Sequence, residues 1–330
     1  MTLRNMNGMK GTIMQKVYCV ITYLLTKLCY TSQVIKMNNK KMDEIMKSCM
    51  NFIYAGENER PVRALNFRPT KYGGLGLVEV SMKAKALLIK NMLKQVENKE
   101  QLRQIYGYDN KMDKYLEMFD KESKVKDIYL EMVKERYEKN ESIIPSRNEK
   151  RSRNIRWSNA WKNLQKVRGI NAYEKEFAWK LTQDMLYIGR RIHRANVDKE
   201  CKNDLGHGVL CRDIPDVMHT FVTCKGIEEW YAEVIEIIEK IFNVSVKAEE
   251  MVTLSFMERN LLKMRLMLWF VIKIMYGIYR KIQRTELYLG ILRELEWSQQ
   301  NNLRIGKVEM IMKMRVELIK ILGGNLIIHG

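Results

Sequence analysis

Proline is scarce in this sequence, with four in 330 residues (Pro61, Pro69, Pro145 and Pro215), so long stretches run free of the residue that interrupts helices most strongly. Those stretches are rich in Met, Leu, Lys and Glu, which lose little rotamer freedom in a helix, and the expected fold class is mainly α. Long apolar runs are missing too. Val17 to Thr26 follows several basic residues but ends at Lys27, with no small-residue cleavage signal after it. Leu266 to Ile272 is bracketed by Arg265 and Lys273, far short of the roughly 20 residues that span a bilayer, and reads as a buried helix. Neither a secretory leader nor a membrane partner is expected. No Walker-type lysine loop, nucleophile elbow, H-E-x-x-H motif or repeat of solenoid length occurs.

Acidic charge is in deficit: 39 Asp and Glu stand against 58 Lys and Arg, a formal charge of +19. Two stretches carry most of the excess. Residues 60–94 hold eight basic residues and one acid, and residues 147–194 hold 13 and four, net +7 and +9, together 16 of the 19. A phosphate backbone is the natural counter-surface, because Lys and Arg that neutralise phosphates release condensed counterions.

Histidine and cysteine are few, four and six, yet six of these ten lie between His193 and Cys224. Cys19, Cys29 and Cys49 are far along the chain from the other cysteines and make no compact disulfide framework, which points to a reducing, intracellular setting, cytoplasmic or nuclear. Cys211, His219 and Cys224 are separated by seven and four residues, a spacing that lets two thiolates and an imidazole meet on one tetrahedral ion. A fourth ligand has to come from upstream, where His193, Cys201 and His207 lie. Two soft thiolates with imidazole suit Zn2+, and four protein ligands make a closed, structural site.

Apolar residues at three and four residue intervals predict helices over 17–28, 45–53 and from about Ser81 to Met92. Pro61, Pro69 and the glycines of Tyr72-Gly73-Gly74-Leu75-Gly76-Leu77 mark an extended and tightly turned segment between them. Residues 96–150 read as a charged helical linker, with 139–156 polar and lacking periodicity. From Ile227 to Ile241 an apolar face opposes Glu228, Glu229, Glu233, Glu236 and Glu239, and a long helix is expected from about Phe256 to Leu287, then a last one over 308–322.

Several of these segments, in this order, resemble the C-terminal part of LINE-type non-LTR retrotransposon reverse transcriptases. Phe52-Ile53-Tyr54-Ala55-Gly56 is similar to the end of a thumb helix there, and Pro69-Thr-Lys-Tyr-Gly-Gly-Leu-Gly-Leu77, followed by Ala84 and Ala86, to the segment after the polymerase palm. Phe177-Ala178-Trp179-Lys180, Leu186 and Arg190-Arg191 lead into the cysteines as in the family's zinc-binding region, and Trp269 to Arg280 resembles its closing helix. The likeness covers roughly residues 1–285. It implies a thumb-like helical segment at 1–95 with the G-G-L-G turn, the linker at 96–150, a zinc-binding-like domain at 151–245 and a C-terminal helical segment at 246–330. Cys211, His219 and Cys224 match the last three ligands of the family pattern, with Cys201 preferred over His207 as the first and His193 third.

The same resemblance implies contact with RNA or DNA, and a reverse transcriptase acting in trans as a possible partner. Lys71, Lys83, Lys85 and Lys90 in the first segment, and Arg151, Arg153, Arg156, Arg168, Arg190, Arg191 and Arg194 in the second, would meet phosphates. Trp157, Trp161 and Trp179 could stack on unpaired bases, although a tryptophan at helical spacing more often belongs to a core. Paired palm aspartates, which the parent polymerases need to hold two metal ions, are lacking, since the sequence contains no Asp-Asp pair, and an endonuclease region is not expected either. A non-enzymatic nucleic-acid-binding protein is therefore expected. The rival expectation is a helical protein-interaction module that uses the acidic face at Glu228 to Glu239 and the stripe from Leu266 to Tyr279.

Overall fold

In the computed structural model, the residues described are 9–32, 35, 38–54, 63–95, 99–107, 112–138, 157–188, 200, 201, 203, 209–258, 265–301 and 308–326. Regular structure among them is helical, and the chain divides into two compact units. Unit 1 comprises residues 1–70 and 74–145, and unit 2 comprises Lys71–Gly73 with 146–330.

Unit 1 begins with α1, residues 13–31, which opens on a Thr12 capping box with Gln15. It is α-helical over Ile13–Cys19 and Thr26–Thr31 and π-helical over Val20–Leu25. α2 (Asn39–Ile53) buries Met42, Met46, Cys49, Phe52 and Ile53 on one face, and a short α3 (Arg63–Phe67) follows. α4 (Val80–Gln95) is the spine of the unit. Its Met82, Ala86, Leu88, Ile89 and Met92 form a core with Met112, Ile128 and Met132. The last three belong to the segment bearing α5 (Lys99–Tyr106), α6 (Asp113–Met118) and α7 (Val125–Glu138). Residues 112–138 therefore do not form a solvated linker: α7 packs directly on α4. Its inward carboxylate partner is the buried Glu79, which accepts from Ser81 Oγ at 2.7 Å and pairs with Arg136 at 3.3 Å.

In unit 2, α8 (Trp157–Lys166) precedes α9 (Ala172–Thr182), whose Asn171–Glu174 capping box fixes its start. α9 packs against α12 (Arg265–Arg280), in which every residue from Leu266 to Met275 is buried. α10 (Glu228–Phe242) turns Tyr231, Val234, Ile237, Ile238 and Ile241 inward, the apolar face foreseen from spacing, and α11 (Ala248–Thr253) follows it. The long helix expected to reach Leu287 instead stops at Arg280. Lys281 takes φ 55°, Ile282 N–H bonds back to Gly277 O at 3.0 Å, and α13 (Arg284–Gln300) begins. Gly277 lets the Leu287 side chain of α13 pack close, since a Cβ there would lie 2.3 Å from a Leu287 methyl. α14 (Val308–Leu326) packs on α13 and α10. Residues 151–245 and 246–330, read separately from the sequence, share one unit. The polar stretch 139–156 lies outside the described residues.

Candidate metal centre

Cys201 and Cys211 are set by a small antiparallel pairing. Cys201 N–H donates to Asp213 O and Cys211 N–H to Asn203 O, both at 2.8 Å, which aligns 201 with 213 and 203 with 211. The other two ligands come from the next turn of chain. Asp216 Oδ1 accepts from His219 N–H at 2.7 Å and starts the π turn His219–Thr223, and Cys224 N–H closes it on His219 O at 3.1 Å. Phe221, fully buried within that turn, meets Phe177 of α9 edge-on at 6.4 Å and ties the loop to the core.

The result brings Cys201, Cys211, His219 and Cys224 together with all four ligand atoms within 4.8 Å of one another. Cys201 Sγ and Cys224 Sγ are 3.7 Å apart, and Cys211 Sγ is 3.5 Å from His219 Nε2. Zinc bonds of about 2.3 Å to sulfur and about 2.1 Å to nitrogen, at tetrahedral angles, require separations of roughly 3.8 Å and 3.6 Å. The donor set and spacing fit a single structural Zn2+ with no open position.

Electrostatics point the same way. Burial, with Cys224 and Cys211 close by, pushes the Cys201 thiol up to about 12, so the sulfurs cannot share the site as bare thiolates. A divalent cation removes that conflict. Outer contacts orient the donors: Asn203 Nδ2 donates to Cys224 Sγ at 3.3 Å, and Asp213 Oδ2 lies 3.8 Å from His219 Nδ1, leaving Nε2 toward the cysteines. Spacing alone did not single out Asn203 or Asp213; their only signal is proximity in sequence to Cys201 and Cys211. His193 and His207 lie outside the described residues, and Cys201 supplies the fourth donor.

The tryptophans proposed for base stacking are core residues. Trp161 and Trp179 are each 2% exposed and Trp157 9%, too covered to receive a base. Trp179 Nε1 and Gln183 Nε2 both donate to Gly73 O, at 2.8 and 3.0 Å. A Cβ on Gly73, which has φ 81°, would lie 2.3 Å from the Trp161 ring, so this glycine of the G-G-L-G turn exists to let the indole approach.

Of the basic residues, Lys85 and Arg168 are exposed, whereas Lys83 and Lys90 are half-buried: Lys83 Nζ lies 5.6 Å from the Tyr129 ring centre, and Lys90 Nζ donates to Lys121 O. The Lys71 side chain, Arg151, Arg153, Arg156, Arg190, Arg191 and Arg194 lie outside the described residues. The stripe from Leu266 to Tyr279 cannot dock a partner along most of its length, because it forms the centre of unit 2. No helix among the described residues is long and apolar enough to cross a membrane. Compared with protein-family models, curated proteins and solved structures, the chain matches none.

Proposed function

We propose that the chain is a non-catalytic nucleic-acid-binding protein, a remnant or domesticated C-terminal piece of a non-LTR retrotransposon reverse transcriptase in which zinc holds the binding region in shape. The observation that carries this reading is the convergence of Cys201, Cys211, His219 and Cys224. Three of these positions were singled out by the family's ligand order, and the fourth lies farther upstream than that order leads one to expect. The excess of +9 in residues 147–194, immediately before the cluster, supplies the polyanion attraction. Arg168 and Lys85 are the exposed contacts, and the arginines at 151, 153, 156, 190, 191 and 194 enter on charge.

In this reading the phosphate backbone is gripped by charge without base selection, and zinc holds the loop that bears Cys211, His219 and Cys224 against α9 through Phe221. Titration of labelled RNA and DNA oligonucleotides tests it. Affinity should fall steeply as salt rises from about 50 to about 300 mM, and metal-free protein should bind less well. Salt-independent binding, or none in dilute buffer, would reject the reading. A protein-interaction role retains only the outer side of α10, where Glu228, Glu229, Glu236 and Glu239 are exposed.

A further inference from the structure

The sequence places its aromatic stacking groups at tryptophans that turn out to be buried, while three other rings stand in solvent on a single helix. Tyr18, Tyr23 and Tyr30 of α1 are 67%, 51% and 79% exposed. Scattered exposed aromatics are ordinary, but three within thirteen residues of one helix form a patch.

The π stretch is what gathers them. A π turn advances each residue by a smaller angle than an α turn, so Val20–Leu25 delays the helix. That delay keeps Leu25 on the same buried side as Ile13, Val17 and Val20. It swings Tyr23 and Tyr30 toward the side of Tyr18, with Thr26 and Lys27 exposed among them. At a helical rise of about 1.5 Å per residue, the rings follow one another at roughly 7 and 10 Å along the axis, one to two steps of an extended single strand.

Charge selects the partner. The first 42 residues contain seven Lys and Arg and not one Asp or Glu, so the tyrosines sit in a segment that attracts anions only. We propose that the exposed tyrosine face of α1 is a base-stacking platform for single-stranded nucleic acid, with Lys27 beside it for phosphate. The proposal rests on the nucleic-acid reading above and adds a site in unit 1 distinct from the zinc module. Unstacked bases lie on phenol rings whatever their identity, so the site prefers single strands to duplex without reading sequence.

The test compares wild type, the triple variant Tyr18→Ala/Tyr23→Ala/Tyr30→Ala and the matching triple Tyr→Phe variant, each verified for helicity and zinc content. Binding is read by anisotropy with labelled oligouridylate, oligothymidylate and a duplex of equal length. Loss of about tenfold or more on both single strands in the alanine variant, retention in the phenylalanine variant and little change on duplex support the platform. Preference for one of the two strands assigns RNA or DNA. Equal binding by all three proteins, or an equal loss on duplex, overturns it. If wild type binds oligonucleotides and Cys211→Ser weakens that binding while the alanine triple does not, this site falls and the proposed function stands. If wild type binds none, both fall; tyrosine-dependent sedimentation with anionic phosphatidylserine vesicles instead would reassign the face to membranes.

Discussion

Lys273 Nζ lies 2.7 Å from Glu174 Oε1 and 2.7 Å from Glu294 Oε1, so the one cation in the buried run of α12 bridges the start of α9 to α13. Glu174 is almost wholly buried and also accepts from Asn171 N–H at 2.8 Å. Removing the ammonium strands a carboxylate in the core, which costs about 3–5 kcal/mol. Lys273→Met should lower the unfolding free energy of unit 2 in urea by that order, with a matching fall in the midpoint, and Lys273→Met with Glu174→Gln should recover much of it, since Gln keeps the cap without the charge. Equal midpoints for the single variant and wild type would show that the pair contributes nothing.

Purified protein should carry about one zinc per chain, with Cys211→Ser and His219→Ala both metal-poor, read by elemental analysis. Asn203→Ala should keep the zinc but bind it roughly tenfold more weakly in chelator competition, because only the donor to Cys224 Sγ is lost. Full zinc content in both Cys211→Ser and His219→Ala would dismiss the site.

Two glycines should respond in opposite directions to alanine. Gly73→Ala drives a Cβ into the Trp161 ring at a left-handed backbone position and should cost more than about 2 kcal/mol. In α13, Gly290 has nothing within 4 Å of the added carbon, so Gly290→Ala should stabilise by roughly 0.5–1 kcal/mol. Thermal denaturation of both variants checks the pair.

Alkali should unfold unit 2 through buried phenols. Burial pushes the Tyr288 hydroxyl up to about 12, against the lowering effect of Trp230 and Arg284, and burial also raises Tyr231. The unfolded chain sheds these protons from about pH 10 while the folded chain keeps them, so stability is intact below pH 10 and declines between about 10 and 12. Tyrosinate absorbance should show a late-titrating fraction, and Tyr288→Phe should reduce both that fraction and the alkaline slope.

How much of this was legible depended on which force decided each element. The α10 face followed from spacing because one side of it meets a core, whereas α4 is buried around most of its circumference, so spacing marked its helix but not Met82, Ala86 and Ile89 as its core side. The break between α12 and α13 carries no proline, and its left-handed residue is Lys281, so nothing local announced it. The apolar stripe of α7 was visible, but the mixed charges around it describe only the outer face and suggested a linker, whereas Ile128 and Met132 are buried in the α4 core. Cys211, His219 and Cys224 were legible from order. Cys201 was less so, because backbone pairing with Asp213, not sequence spacing, brings it to the others. The tryptophans looked like ligand groups because they alternate with arginines, yet they are filled by the demands of Gly73 and the interior.

Since residues 201 and 203 are pinned opposite 213 and 211, the two leading sulfurs owe their places to backbone register and not to the count of residues that separates them. A fixed gap between the leading pair of ligands is therefore a poor template for finding a site of this kind, because ladder pairing sets where the thiols stand.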